Sequence, residues 1–289
     1  KEIAALLRER LASKGADGKP LSQRGWGDAN RISNATVNQV LRGKWDLISA
    51  EMWRKFAAAL NYSNAQWELG RTRDYILLNK WLSMAQKQGT TLAVSHEPGC
   101  GKTATLQHYA DTHPNVFFLG CDAHWTKHYF LRSLYRALGK DPKELTGVEL
   151  AEGIILQLRR TDRPLVILDE LDKLNESILL FFISLYNKLD GLCGFVLAGA
   201  PHLRLMVEKG ASRDKRGFRE LLSRVGHTFL PLNGVNRNDT GIICEANGIT
   251  NPEEVNTIWN DPVVQQKKDI RRIKRLVERI QMSRQSKAA

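Results

Sequence analysis

The chain has 289 residues, 42% of them hydrophobic, and a formal net charge of +12. That length supports two or three domains rather than one small module. The charge points to a polyanionic partner, nucleic acid first and an anionic membrane surface behind it. No apolar stretch approaches the ~20 residues that span a bilayer; the longest, Ile178 to Ile183, is short and flanked by polar residues. There is no signal-peptide pattern. Cys100, Cys121, Cys193 and Cys244 are scattered without C-x-x-C spacing, which indicates reduced thiols in a cytoplasmic protein rather than a disulfide or zinc framework.

Residues 1–70 read as helical throughout. Ile3, Leu6, Leu7 and Leu11 recur at helical spacing and form one apolar face. A break from Gly15 to Pro20 ends that helix. Two short helices follow, at 22–29 and 35–41, the second with Ser33 as N-cap and Gly43 as stop. Met52, Phe56, Ala59 and Leu60 mark another amphipathic helix. Two short helices joined by a tight polar turn inside a small bundle are the pattern of a helix-turn-helix. The stretch from Thr36 to Lys44 resembles the recognition helix of phage-type repressors. Val37, Val40 and Leu41 would then pack inward, while Asn34, Thr36, Asn38, Gln39, Arg42 and Lys44 would face DNA, where amides and guanidinium groups read base edges. A protein-interaction bundle with polar surface helices is the alternative. Trp26, Trp45, Trp53 and Trp67 fall in this part and are expected to be core anchors rather than base-stacking platforms.

In residues 71–233 the pattern alternates. Strands are expected at 90–94, 116–119, 165–168, 195–198 and 228–232, with helices between them, including 129–138, 148–160 and 176–189. Such alternation predicts an α/β fold, a parallel sheet flanked by helices. Between the first strand and a helix at 104–111 lies His96-Glu97-Pro98-Gly99-Cys100-Gly101-Lys102-Thr103. Strand, glycine-rich loop, Lys-Thr and helix form the arrangement that cradles a nucleoside triphosphate. After Pro98, which shapes the loop, the small residues let backbone N–H groups of Gly99–Ala104 turn toward phosphate oxygens at a helix N-terminus. Lys102 would reach the β- and γ-phosphates, and the Thr103 hydroxyl would ligate Mg²⁺. His96 stands where the pattern has its first glycine.

Val166-Ile167-Leu168-Asp169-Glu170 is an apolar run ending in two carboxylates, as expected of a buried parallel strand that delivers acids to the ligand-binding edge of the sheet. Asp169 would complete the Mg²⁺ shell and Glu170 would polarise the attacking water. Residues 234–289 look like a small helical domain. It ends in a basic run, 267–279, held together by Ile270, Ile273, Leu276, Val277 and Ile280.

These motifs together resemble the AAA+ ATPases. There is further resemblance to the DNA-transposition regulators of the Mu B, IstB, TniB and TnsC type, and for the Mu B type it extends over nearly the whole chain. It rests on Pro98 to Thr103, Val166 to Glu170, Gly194-Phe195-Val196-Leu197-Ala198-Gly199 and Phe218-Arg219-Glu220-Leu221-Leu222-Ser223-Arg224-Val225. What it implies is a P-loop AAA+ core with an N-terminal helix-turn-helix domain and a C-terminal helical lid. Arg224 would be the arginine finger that completes a neighbouring subunit's site, with Arg216 and Arg219 as competitors. Pairing with Glu220 one turn back is its plain structural alternative. Asp269-Ile270-Arg271-Arg272 resembles the lid motif whose arginine senses the γ-phosphate; Arg271 is the first choice and Arg272 the second. Lys267, Lys268, Arg272 and Arg275 are equally well explained as DNA contacts. Ala200-Pro201-His202 replaces the Asn or Thr that relatives place after the fourth strand, leaving His202 as the nearest polar substitute.

The expected function is that of an ATPase, using ATP and Mg²⁺, that oligomerises as a ring or filament on double-stranded DNA. It would capture target DNA and stimulate a transposase, and slow hydrolysis through Lys102, Glu170 and Arg224 would disassemble it. The alternatives are a replication initiator or helicase loader, and an ATP-gated helix-turn-helix transcription regulator.

Overall fold

The computed structural model describes residues 2–12, 22–60 and 67–288. The chain forms two compact units, Lys1–Gln66 and Trp67–Ala289. The predicted break from Gly15 to Pro20 lies outside the described residues.

In the first unit, α1 (Glu2–Ala12), α2 (Gln23–Ala29), α3 (Asn34–Leu41), a 3₁₀ turn (Trp45–Leu47) and α4 (Ala50–Ala59) surround one core. Ala4 and Leu7 from α1 meet Trp26, Val37, Val40 and Phe56 there. Each of α2, α3 and α4 starts at a serine, Ser22, Ser33 and Ser49, whose hydroxyl accepts a first-turn backbone N–H, satisfying a donor the helix cannot. The α2–α3 turn is tight because Gly27 has no side chain. Its carbonyl accepts Ile32 N–H at 2.8 Å, and a Cβ on Gly27 would sit 2.6 Å from Ile32 O. Gly43, at φ +75°, ends α3 as expected.

The second unit holds α5 (Arg73–Gln88), β1 (Thr91–Ser95), α6 (Lys102–Thr112), β2 (Val116–Gly120), α7 (Lys127–Ala137), α8 (Gly147–Arg160), β3 (Leu165–Asp169), α9 (Glu176–Leu189), β4 (Gly194–Gly199), α10 (Pro201–Ser212), α11 (Phe218–Arg224) and β5 (Phe229–Leu230). The helices α12 (Arg237–Ala246), α13 (Pro252–Trp259), α14 (Pro262–Lys267) and α15 (Ile270–Ala288) follow. Among the described residues, five strands form one sheet in the order β2-β3-β4-β1-β5, and every pairing is parallel. The fold is thus the predicted α/β class.

Both faces of the sheet are covered, as all-parallel sheets require. Alternation along β3 shows this directly. Val166 and Leu168 join a core built with Phe130, Leu150, Ile178 and Phe218 from α7, α8, α9 and α11. Leu165 and Ile167 face Leu78, Leu82, Leu106 and Tyr109 from α5 and α6. The fifth strand is shorter than expected, two residues at the sheet edge. Helix α5 has no counterpart among the helices expected from the sequence.

The helices after β5 pack with the sheet in the same unit. Two buried carboxylates fasten them to the start of α5. Asp74 accepts N–H groups from Asn233 (3.0 Å) and Gly234 (2.7 Å). Asp239, at the start of α12, accepts Arg73 N (2.9 Å) and Nε (3.1 Å). Among the described residues no helix is long and apolar enough to cross a membrane. All four cysteines are buried and free.

Candidate active site

The strand order reverses at β1, whose neighbours β4 and β5 both follow it in sequence, and such a point in a parallel sheet opens a crevice at the carboxyl ends of the strands. The loop His96–Gly101 crosses that edge. Positive φ occurs within it at Gly99 (+88°) and Gly101 (+94°), not at His96. Glycine is therefore needed at two positions of the loop, and the His96 departure carries no backbone penalty. Ile270 N donates to Gly99 O at 2.8 Å, and a Cβ on Gly99 would overlap the Asp269 carboxylate. The start of α15 therefore sits directly on the phosphate loop.

Lys102 is 8% exposed. Its ammonium donates to His96 O (2.6 Å) and Glu97 O (3.0 Å), because a buried cation must find acceptors. Phosphate oxygens would be stronger acceptors at the same place. Burial pushes the neighbouring Cys100 thiol up from its usual pKa, so it is a neutral filler here.

Thr103 Oγ1 donates to Asp169 Oδ2 at 2.6 Å. Asp169 is 1% exposed, and burial raises its pKa, partly countered by the Thr103 bond. A hydroxyl and a carboxylate side by side are hard oxygen donors and fit Mg²⁺. Among the described residues no group of three His, Cys, Asp or Glu side chains could hold a metal ion.

Glu170 follows at φ +56°, a left-handed conformation that costs a non-glycine residue about 1 kcal/mol. It turns the carboxylate toward Lys173, whose ammonium lies 2.7 Å from Glu170 Oε2; this bond raises the Lys173 pKa. Asp172 Oδ1 accepts Ala200 N–H at 3.1 Å, tying the acidic turn to the end of β4. Asp172 and Ala200 both line the cavity. His202 is exposed on α10 and lies outside the cavity lining.

These groups line one cavity of about 700 Å³, reached also by Gly101, Ala104, Arg271, Lys274 and Trp67. Trp67 corrects an expectation. It belongs to the second unit, packs against the α12–α15 core, and turns one side to the cavity with Lys274 Nζ 5.6 Å from its ring centre. The adjoining backbone is anchored by Asn247, which bonds both Glu68 N and Glu68 O at 3.0 Å.

Residues 85–207 match a family described as an AAA domain. The matched segment is an AAA-type P-loop ATPase domain. No curated protein matches the chain. The matched segment contains Lys102, Thr103, Asp169 and Glu170 and ends before Arg224 and Arg271. An AAA domain binds nucleotide, typically with Mg²⁺, and the residues at its cavity fit both.

Arg224 is remote from that cavity. It closes α11 with its guanidinium 5.1 Å from the Tyr186 ring centre and 3.5 Å from Glu220 Oε1. Tyr186 lies near the carboxyl end of α9, beside Thr91 at the start of β1, hence at the end of the sheet opposite the phosphate loop. Arg224 Nε is buried without a partner. Arg219 pairs with Asp214 at 3.2 Å, and Arg216 is exposed.

The other predicted residues divide. Arg271 lines the cavity, whereas Arg272 turns away into a two-point bridge with Asp261, the closer contact 2.6 Å. Lys268 Nζ donates to Asn233 O at 2.9 Å. Arg272 and Lys268 are thus committed within the lid, while Lys267 and Arg275 are exposed. On α3, Val37 and Val40 are fully buried and Leu41 half-buried. Asn34, Arg42 and Lys44 are exposed, and Asn38 and Gln39 half-buried. Thr36 departs from the expected open position, because its hydroxyl bonds Ser33 Oγ at 2.7 Å in the helix cap.

Proposed function

We propose that the chain is an ATP-dependent, DNA-binding AAA+ protein that assembles on double-stranded DNA and regulates transposition by presenting that DNA to a transposase. One observation carries the self-assembly. The cavity gathers Lys102, Thr103, Asp169 and Glu170, while the candidate finger, Arg224, lies at the opposite end of the same sheet. A chain cannot bring both to one phosphate, but a second copy can supply the missing cation. Closed or open assemblies of this head-to-tail kind are rings and filaments.

In this reading Lys102 exchanges the His96 and Glu97 carbonyls for phosphate oxygens. Thr103 and Asp169 hold Mg²⁺, which neutralises phosphate charge when bound. Glu170, released from Lys173, takes the proton of the attacking water. Trp67 offers an apolar face to the base, and Arg271 and Lys274 add positive charge from the lid. Arg224 of the next copy offsets charge on the transferring phosphoryl group. DNA is held by α3 in the first unit and by Lys267 and Arg275 in the second, mostly through phosphates. The net charge of +12 and the family resemblance of the whole chain support the DNA and transposase parts.

The test is negative-stain microscopy of the full chain with duplex DNA. ATP and Mg²⁺ should produce rings or filaments, Lys102→Ala should abolish them, and Glu170→Gln should make them persist. Assemblies that form equally well with Lys102→Ala would defeat the reading. A stable complex with a replicative helicase, and no stimulation of a transposase, would move the protein to the helicase loaders.

A further inference from the structure

Helix α7 carries cations that the AAA domain does not use. Its buried side, Phe130, Leu131 and Leu134, packs into the core. Opposite lie His128, Arg132 and Arg136, four residues apart, so they form one row with about 6 Å between steps. Lys140 follows just beyond the helix end. No acidic residue occurs between Asp122 and Asp141. Six arginines elsewhere in this unit sit against carboxylates, at Asp239, Glu208, Asp214, Glu220, Asp261 and Glu254. The side chains of Arg132, Arg136 and Lys140 have no hydrogen-bond or carboxylate partner among the described residues. The adjoining helix does not neutralise them, since Glu149 is spent in the α8 capping box and Glu152 lines a separate groove with Arg159 and Lys188.

We propose that this row is a further DNA-contacting surface, distinct from α3 and from Lys267 and Arg275, that binds the phosphate backbone of duplex DNA. The inference rests on the DNA-binding reading above and adds a surface to it. A straight row of cations suits regularly spaced phosphates. Of the rings at its start, Phe130 is buried and Trp125 half-buried, and the exposed Tyr129 tilts against Trp125 at 5.2 Å, so the row offers at most one ring rather than the succession of stacking platforms that a single strand uses. The outer row contains no aliphatic side chain to enter a bilayer.

The experiment measures binding of the full chain, with ATP and Mg²⁺, to a fluorescent random-sequence duplex across a salt series. Each phosphate contact adds about 0.9 to the slope of log K against log salt. Arg132→Ala with Arg136→Ala should therefore lower the slope by about 1.8 and weaken binding about tenfold or more at 0.1 M salt. Lys140→Gln should lower it by about 0.9, and this loop variant stands in if the double variant melts early. Arg132→Lys with Arg136→Lys should keep the wild-type slope. If the wild type binds and all variants share its slope, the surface is wrong while the DNA-binding reading survives. If the wild type does not bind duplex at all, both fall. Variants that weaken only single-strand or RNA binding would overturn the assignment to duplex DNA.

Discussion

Mixing two inactive variants tests the shared site most directly. Arg224→Ala removes the finger and Glu170→Gln, which leaves assembly intact, disables the carboxylate that activates water, so neither variant alone should hydrolyse ATP appreciably. The structure sets what Arg224→Ala costs in folding. Its ion pair with Glu220 is partly exposed, at 3.5 Å, and such pairs contribute at most about 1 kcal/mol. The stacking on Tyr186 adds about 0.5–1 kcal/mol, and Nε has no bond to lose. The variant therefore folds. Loss of a finger lowers turnover about 10³-fold or more, roughly 4 kcal/mol of transition-state stabilisation. A deficit that large alongside a folding change of at most about 2 kcal/mol cannot be attributed to unfolding. In an equimolar mixture, about a quarter of the interfaces join an intact Glu170 to an intact Arg224, since a head-to-tail contact draws each half from a different copy. Steady-state ATPase assays with duplex DNA should recover activity in that proportion. A mixture no more active than its components would refute the trans assignment, as would Arg224→Ala turning over at the wild-type rate.

Two predictions concern stability. Asp74→Ala strands the buried Gly234 N–H and its neighbour at Asn233, which Asp74 holds at 2.7 and 3.0 Å; losing charge-assisted bonds of this kind costs about 3 kcal/mol. Calorimetry of the full chain should show the transition of the second unit falling by about 6–12 °C, and an unchanged transition would mean that the clasp contributes nothing. Gly27→Ala pushes a methyl against Ile32 O, an overpacking that costs about 1–3 kcal/mol. Hydrogen exchange should speed up across α2 and α3 while the sheet keeps its protection, and equal protection in both proteins would refute the close approach.

How much of this was readable in advance depended on the range of the interaction. The phosphate loop was legible because its requirements are local, two glycines at positive φ followed by Lys-Thr at a helix start. The acidic strand was legible because a strand buried on both faces needs an unbroken apolar run before Asp169. The order β2-β3-β4-β1-β5 was not, since no local pattern tells β1 to pair with β4. Nor were Asp74 and Asp239 legible, because their partners lie 159 and 166 residues away. Trp67 carried an indole in a stretch that looked like the end of the helical domain. Only the fold brings it and α15 to the same cavity.

That cavity connects two properties of the chain. Lys102 and Glu170 both make internal bonds, to His96 O and Glu97 O and to Lys173, that must be exchanged before either can act on a phosphate or a water. The Lys173 pair is half-exposed, so it is worth at most about 1 kcal/mol and yields readily to a triphosphate. Above them, α15 rests on the loop through the Ile270–Gly99 bond, and the helices it packs with are held to α5 at Gly234 and α12 through the Asp74 and Asp239 clasps. Filling the cavity therefore bears on the position of the lid as well as on the chemistry. In the proposed assembly the nucleotide would first organise surfaces for the neighbouring copy, and hydrolysis would follow only when that copy delivers Arg224. A site arranged in this order suits a DNA-bound switch better than a continuously turning motor.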